Sequence, residues 1–236
     1  MSPRLWAVIP AAGKGVRIGA PLPKQYLSID GRTIAEHTLV RLLAYARFSR
    51  LVVAVAPDDQ FFGQLPQAGD SRLLVVSGGA ARCDSVANAL AALAADARDD
   101  DFVLVHDIAR PCVRLSDIAR LVDAVAADPV GGILARRASD TVKRSGADDR
   151  IAQTLDRDTV WLAATPQMIR YGLLRAALAQ AARDGVVVTD EAQAVERLGH
   201  QPQLLECARD NIKITRPEDL ALAAFWLRRQ QEEASP

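Results

Sequence analysis

A loop rich in glycine and basic residues follows the first apolar run of the chain, which covers residues 5–9. The loop carries three glycines and three cations, namely Gly13, Gly15, Gly19, Lys14, Arg17 and Lys24. Glycine lets backbone N–H groups approach an anion closely, and the basic side chains can neutralise phosphate charge. The loop predicts a binding site for a nucleotide triphosphate, with an ordinary Gly/Pro-rich connection carrying solvated cations as the alternative.

Two well-known phosphate-binding loops do not match this spacing. A P-loop ends in Gly-Lys-Ser/Thr, whereas Gly13-Lys14 is followed here by Gly15. The dinucleotide fingerprint needs three closely spaced glycines and an immediate helix, but the third glycine comes one place late, and Pro21 and Pro23 interrupt a helix. The loop therefore belongs to neither class.

Asp107 follows an apolar run at 102–105 and is a candidate magnesium ligand, because Mg²⁺ prefers hard oxygen donors. Its alternative role is to cap the following segment. Lys213 follows a short strand near the C-terminus and is expected to join Arg17 and Lys24 around one phosphate. The sequence shows no Ser/His/Asp set and no thiol with an activating partner, so it predicts no covalent enzyme intermediate.

The elements that position these residues alternate between apolar strands and amphipathic helices. Strands are predicted at 5–9, 51–55, 73–76, 102–105, 131–135 and 204–205, and helices at 33–47, 80–95, 115–127, 171–182, 190–198 and 217–229. This alternation predicts an α/β, Rossmann-like, doubly wound and mostly parallel sheet. Ligands of such sheets bind beyond the carboxyl ends of the strands, so the loops at 10–24, 77–82 and 106–111 should meet at one crevice.

A polar segment at about 136–158 interrupts the α/β alternation and is predicted to form a projecting β-hairpin around the turn at 145–149. Because an isolated hairpin is barely stable in water, we expect it to act as an arm for dimerisation that packs on a second subunit. A loosely held insertion is the alternative.

Composition favours a single domain over 1–236 with a substantial core, since half of the 236 residues are hydrophobic. The 29 basic and 29 acidic residues balance, so binding to nucleic acid or to an anionic membrane is not expected. The first apolar run is too short for a signal peptide, which predicts a cytoplasmic protein. Three widely spaced cysteines argue against a disulfide framework or a zinc site.

Six motifs in order resemble the 2-C-methyl-D-erythritol 4-phosphate cytidylyltransferase family over nearly the whole chain. They are Pro10-Ala11-Ala12-Gly13-x-Gly15-x-Arg17, Pro23-Lys24-Gln25-Tyr26, Gly78-Gly79-x-x-Arg82, His106-Asp107-x-Ala109-Arg110-Pro111, Thr189-Asp190-Glu191-Ala192 and Asp210-Asn211-Ile212-Lys213. The first motif alone would indicate only a nucleotidyltransferase. Two positions depart from the family pattern: Ile108 replaces the usual alanine, and Ala80 replaces a common acidic residue.

The resemblance implies a role for each matching position. It implies that Arg17 and Lys24 stabilise the transition state and that Asp107 binds Mg²⁺. The implied nucleotide-binding residues are Ala11, Ala12, Gly13, Gly15, Gly79, Ala80 and Ser85. The implied residues for the polyol phosphate are Arg110, Thr141, Arg157, Thr165, Thr189 and Lys213. A homodimer joined through the hairpin arm is also implied.

The expected reaction is the conversion of CTP and 2-C-methyl-D-erythritol 4-phosphate to 4-diphosphocytidyl-2-C-methyl-D-erythritol and pyrophosphate, in non-mevalonate isoprenoid biosynthesis. An enzyme that uses ribitol 5-phosphate with the same nucleotide chemistry is a close alternative. A nucleotide-binding regulatory module without turnover is an alternative of another class. The joint presence of Arg17, Lys24, Asp107 and Lys213 favours an enzyme.

Overall fold

The structure is a computed structural model that describes residues 3–13 and 22–234. The predicted loop residues Gly15 and Arg17 lie outside the described residues. The strands, in chain order, are β1 (Leu5–Pro10), β2 (Ser28–Ile29), β3 (Arg32–Thr33), β4 (Phe48–Val55), β5 (Leu73–Ser77), β6 (Phe102–Val105), β7 (Gly131–Arg137), β8 (Val142–Ser145), β9 (Ile151–Leu155), β10 (Trp161–Arg170) and β11 (Gln203–Glu206). The helices are α1 (Ile34–Ala44), α2 (Arg82–Ala92), α3 (Leu115–Val125), α4 (Tyr171–Arg183), α5 (Glu191–Glu196) and α6 (Glu218–Ala234).

The central sheet has seven strands within the described part of the chain, in the spatial order β11-β7-β10-β6-β1-β4-β5. Neighbouring strands run parallel except at β10, which is antiparallel to both β6 and β7. The predicted mostly parallel sheet is confirmed, but β10 was not predicted. Because β10 runs the other way, its first residues lie at the edge where the parallel strands end.

Helices cover both faces of this sheet, which confirms the doubly wound prediction. Successive residues of β1 point to opposite faces, as the pleat of a strand requires. Ile9 packs in one buried cluster with Leu39 of α1 and Leu121 of α3. Val8 packs in a second cluster with Val86 of α2. The two clusters hold the end of β1 in place between the helices, and the glycine-rich loop starts from this anchored end.

Local hydrogen bonds set the starts of the helices that flank the site. At α1, the Thr33 hydroxyl accepts from the Glu36 N–H, and the Glu36 carboxylate accepts from the Thr33 N–H, which confirms the predicted N-cap. At α2, the Asp84 carboxylate accepts from the Ala81 N–H at 2.9 Å. This helix therefore begins at Arg82, two residues later than predicted, and Gly78 and Gly79 are left in the loop before it.

The predicted hairpin is formed by β8 and β9, which pair antiparallel from Val142 opposite Leu155 to Ser145 opposite Ile151. Both strands are largely exposed, and Ile151 is 67% exposed. An isolated two-stranded hairpin is at best marginally stable in water, which is the reason for expecting a further packing partner. Dimerisation through this hairpin stays a prediction.

None of the helices in residues 3–13 and 22–234 combines the length and the apolar character needed to span a membrane.

Candidate active site

One crevice at the carboxyl edge of the sheet receives the loops that follow β1, β5 and β6. Its volume is about 380 Å³, and Lys213 from the segment after β11 completes the wall. The structure brings together nine of the predicted site residues in this lining: Ala11, Ala12, Gly13, Lys24, Gly79, Ala80, Ser85, Asp107 and Lys213. The two departures from the family pattern are here too, with Ile108 buried in the wall and Ala80 exposed.

The start of the glycine-rich loop is fixed by hydrogen bonds on both sides of Ala11. Its N–H donates to the Ala54 carbonyl of β4 at 2.8 Å, and its carbonyl accepts from the buried Gln25 side chain at 2.8 Å. Gln25 was not predicted as a site residue, although it lies in the Pro23-Lys24-Gln25-Tyr26 motif. These bonds hold Ala12 and Gly13 at the crevice, where their backbone can meet a nucleotide.

Gly78 sits where the loop before α2 presses against the glycine-rich loop. A Cβ atom at this position would lie 2.4 Å from the Ala12 Cβ and 2.9 Å from the Ser85 Oγ, so no larger residue fits without displacing a wall of the crevice. The Ser85 hydroxyl also accepts from the Gly79 N–H at 3.1 Å. The two predicted nucleotide-binding segments therefore support each other through direct contact.

Gly78→Ala is expected to lower the affinity for CTP and kcat/KM by about tenfold each, because small displacements of positioning groups are costly to catalysis. Calorimetry with CTP and steady-state kinetics measure the two effects. Gly69→Ala is the matched control, since a Cβ at Gly69 meets nothing within 4 Å. Equal CTP affinity and equal kcat/KM in the two variants would show that the close approach of Gly78 to Ala12 does not matter for binding.

Asp107 lies at the centre of a cluster of basic side chains. Its Oδ1 accepts from the Arg82 Nε at 2.8 Å, and its Oδ2 lies 2.7 Å from the Lys213 Nζ and 3.8 Å from the Arg110 Nε. Burial by itself would raise the pKa of Asp107, but Arg82 and Lys213 hold that pKa well below its usual range. Asp107 is therefore ionised at neutral pH and holds Lys213 at the crevice.

A buried hydrogen-bond chain fixes the backbone around Asp107. The Asp107 N–H donates to the Thr165 hydroxyl at 3.1 Å, and that hydroxyl lies 3.2 Å from the His106 Nδ1. The His106 Nε2 lies 3.1 Å from the Arg110 carbonyl, to which it donates. Burial lowers the pKa of His106 to about 4, so the ring is neutral and structural.

Arg110 is a buried guanidinium beside the same cluster. One of its terminal nitrogens donates to the Asn211 carbonyl at 2.8 Å, while its Nε has no hydrogen-bond partner among the described residues. A buried donor without an acceptor is costly, and a phosphate oxygen would satisfy it. Arg110 does not line the crevice within the described residues, so its predicted role in binding the polyol phosphate stays a prediction.

Of the six predicted substrate-binding residues, only Lys213 lines this crevice within the described chain, and five do not: Arg110, Thr141, Arg157, Thr165 and Thr189. Arg157 is exposed at the base of the hairpin and donates to the Ser139 carbonyl at 3.3 Å. The Thr189 hydroxyl is exposed and donates to the Gln193 side chain at 3.1 Å. Their predicted roles are untested, as are those of Arg17 and Gly15, which lie outside the described residues.

A magnesium ion fits this site only together with a phosphate ligand. Among the described residues, no group of three or more His, Cys, Asp or Glu side chains could hold a metal ion. Asp107 is a single hard carboxylate, and both of its oxygens already face basic groups. Mg²⁺ commonly binds one or two carboxylates and takes its other ligands from phosphates and water, so the nucleotide would supply most of them.

Arg82 and Glu191 are site residues that sequence reasoning left without a role. Arg82 lines the crevice, and its terminal nitrogens donate to the Glu191 carboxylate at 2.6 and 3.1 Å. Arg82 belongs to the motif at 78–82 and Glu191 to the motif at 189–192, and this membership was the only indication in the sequence that they belong to the site. Their pairing joins positions 109 residues apart in the sequence, and motif spacing does not reveal such a contact.

Among the described lining residues, the three basic side chains of Lys24, Arg82 and Lys213 face the single carboxylate of Asp107, which suits a polyphosphate substrate. A basic, glycine-lined crevice at the carboxyl edge of an α/β sheet is typical of the nucleotidyltransferase class. Comparison with protein families matches residues 5–229 to IspD, 2-C-methyl-D-erythritol 4-phosphate cytidylyltransferase. The chain belongs to this family.

Individual relatives agree with this assignment. The 2-C-methyl-D-erythritol 4-phosphate cytidylyltransferase of Pseudomonas entomophila (strain L48) is 52% identical over 229 residues, which cover 97% of this chain and 96% of the relative. The solved structure of the Francisella tularensis enzyme of the same name is 37% identical, with a TM-score of 0.82 over 94% of this chain and 99% of that one. The structure of 4-diphosphocytidyl-2C-methyl-D-erythritol synthase from Anaerococcus prevotii DSM 20548 has a TM-score of 0.84 at 26% identity, over 96% of each chain.

Proposed function

We propose that this protein is a cytoplasmic, homodimeric cytidylyltransferase of non-mevalonate isoprenoid biosynthesis. It converts CTP and 2-C-methyl-D-erythritol 4-phosphate to 4-diphosphocytidyl-2-C-methyl-D-erythritol and pyrophosphate. The observation that carries the proposal is the meeting of Lys24 and Lys213 at one crevice beside the glycine-rich loop. The Lys24 Nζ donates to the carbonyl of Ile214 at 2.9 Å, which places the two lysine-bearing segments in contact.

The reaction requires a phosphate oxygen of the polyol to attack the α-phosphorus of CTP while the bond to pyrophosphate breaks. Negative charge accumulates on the α-phosphate and on the leaving group, so positioned cations lower the barrier. Lys24 and Arg17 are assigned to the nucleotide phosphates, and Lys213 and Arg110 to the polyol phosphate. Mg²⁺, when bound, neutralises phosphate charge and orients the leaving group.

Release of pyrophosphate from CTP, measured with a panel of polyol phosphates, tests this function. The panel contains 2-C-methyl-D-erythritol 4-phosphate, D-erythritol 4-phosphate and D-ribitol 5-phosphate, and UTP replaces CTP in a parallel series. We expect the highest kcat/KM with CTP and the methylated substrate. A higher value with ribitol 5-phosphate would assign the chain to the alternative activity, and binding of CTP without pyrophosphate release would indicate a regulatory module.

Asp107→Asn is expected to raise the Mg²⁺ concentration for half-maximal rate by about tenfold. A neutral amide is a weaker magnesium ligand than a carboxylate, and loss of one supporting group typically weakens metal binding by about this factor. Titration of Mg²⁺ at saturating CTP measures the shift. Asp128→Asn is the control, since the Asp128 carboxylate binds the N–H groups of Val130 and Gly131 at the opposite edge of the sheet. An unchanged dependence of the rate on Mg²⁺ in Asp107→Asn would show that Asp107 does not bind the metal and acts only through its ion pairs.

A further inference from the structure

Glu191, the first residue of α5, is a buried carboxylate whose side chain is 1% exposed. Both of its oxygens accept from Arg82, at 2.6 and 3.1 Å, in a bidentate pair. Burying an ion pair is costly, and apolar residues of similar size often hold two helices together equally well. The presence of this pair beside the crevice therefore calls for a role beyond packing.

Arg82 connects this pair to the predicted catalytic groups. Its Nε donates to the Asp107 Oδ1, and the Asp107 Oδ2 faces the Lys213 Nζ. The four side chains form a series of alternating charge in the order Glu191, Arg82, Asp107 and Lys213. Since a guanidinium is planar and rigid, fixing its two terminal nitrogens also fixes the direction of its Nε–H.

We propose that Glu191 is a positioning residue that acts through Arg82 and Asp107 on Lys213, an inference that rests on the proposed function. By occupying both terminal nitrogens, Glu191 prevents Arg82 from turning its fork toward the incoming triphosphate. Arg82 then presents its Nε–H to Asp107, and Asp107 keeps Lys213 at the crevice wall. Glu191 itself does not line the crevice within the described residues and makes none of the substrate contacts assigned above.

The start of α5 has its own hydrogen bonds, so the pair with Arg82 is separable from the fold of that helix. The Gln167 side chain accepts from the Ala192 N–H at 2.8 Å and donates to the Asp190 carboxylate at 2.9 Å. Asp190 in turn accepts from the Gln193 N–H at 2.9 Å. Glu191→Gln is therefore expected to leave α5 in place while it removes the charge that orients Arg82.

Steady-state kinetics of Glu191→Gln should show kcat lowered about tenfold and KM for CTP changed by less than twofold, as expected when a transition-state contact loses its alignment. A double-mutant cycle with Asp107→Asn isolates the coupling. Once Asp107 is neutral, Glu191 has no carboxylate to position through Arg82, so the double variant should match Asp107→Asn within twofold. Additive losses would overturn the proposal, as would wild-type kinetics of Glu191→Gln.

Proton exchange at the Arg82 Nε–H, followed by ¹⁵N-resolved NMR, tests the same link without turnover. The signal is assigned by its loss in Arg82→Lys. We expect exchange to be at least tenfold faster in Glu191→Gln than in the wild type. Asp101→Asn is the control, because Asp101 is equally buried and binds Arg98 and Trp6 at the opposite edge of the sheet.

An Arg82 signal that keeps its protection in Glu191→Gln would overturn the positioning role. The positioning role would also be overturned if Asp101→Asn accelerated exchange as much as Glu191→Gln does, because the effect would then follow from the loss of any buried carboxylate. If the wild type released no pyrophosphate from any substrate of the panel, the proposed function would fail, whereas the NMR result would still decide whether Glu191 orients Arg82.

Discussion

Lys24→Ala is expected to lower kcat by about a hundredfold or more, the scale for loss of one positioned electrostatic donor. Lys24 lines the crevice and is assigned to the charge that develops on the nucleotide phosphates. Arg17→Ala should cause a loss of the same size, as predicted from its place in the glycine-rich loop. Single-turnover measurements with CTP and the methylated polyol phosphate determine the rate of the chemical step.

Structural damage must be separated from loss of charge, because the Lys24 Nζ also binds the Ile214 carbonyl. Lys24→Gln keeps a hydrogen-bond donor but removes the charge, so it should lose as much activity as Lys24→Ala. Arg47→Ala removes an exposed cation that pairs with Asp123, next to the start of β4 and away from the crevice, and should keep full activity. A Lys24→Gln variant with wild-type kcat would show that the charge of Lys24 is not needed and that its role is the hydrogen bond to the Ile214 carbonyl.

Mixing inactive Arg17→Ala subunits with inactive Arg157→Ala subunits is expected to restore about a quarter of the wild-type activity. The reason is that Arg157 lies at the base of the hairpin and does not line the crevice of its own chain within the described residues. In a symmetric dimer each site would combine Arg17 of one subunit with Arg157 of the other. Random exchange makes half of the dimers mixed, and each mixed dimer has one intact site of two.

Exchange of subunits must be demonstrated in the same samples, for example with two affinity tags. Mixing Arg17→Ala with Lys24→Ala provides the control, because both residues belong to the same loop region and their mixed dimers should contain no intact site. If both arginines instead act within one subunit, every site in the Arg17→Ala and Arg157→Ala mixture keeps a defect. Inactive mixtures with proven exchange would therefore exclude the shared site.

Strands with continuous apolar runs were predicted well, and β10 shows why one strand of the central sheet was missed. Residues 51–55 and 102–105 are apolar throughout because both faces of the sheet are covered. In β10, Pro166 and Gln167 interrupt the apolar pattern, and proline argues against a central strand. The structure accommodates them because pairing with β7 shifts register between Ala163 and Gln167. Local patterns do not reveal such an irregularity.

The site could be predicted from sequence where a residue lies in a loop at the end of a parallel strand. Asp107 after β6 and Gly79 after β5 follow this rule, and both line the crevice. Thr165 reaches Asp107 from the first half of an antiparallel strand, so only the family resemblance indicated it. The ion pair of Glu191 with Arg82 depends on two helix starts coming together, which is a property of the tertiary fold.

The antiparallel ribbon of β7 and β10 also bears on how the chain folds. These strands pair from Arg137 opposite Trp161, and the chain between them continues into the β8–β9 hairpin. Such a ribbon can form by adding one neighbouring pair after another from the turn, with little loop-closure entropy at each step. The pairing of β10 with β6 must instead close a loop across residues 106–166, because Val105 lies opposite Gln167. Because local contacts form faster than distant ones, we expect the ribbon to form early and the parallel strands to be added to it later.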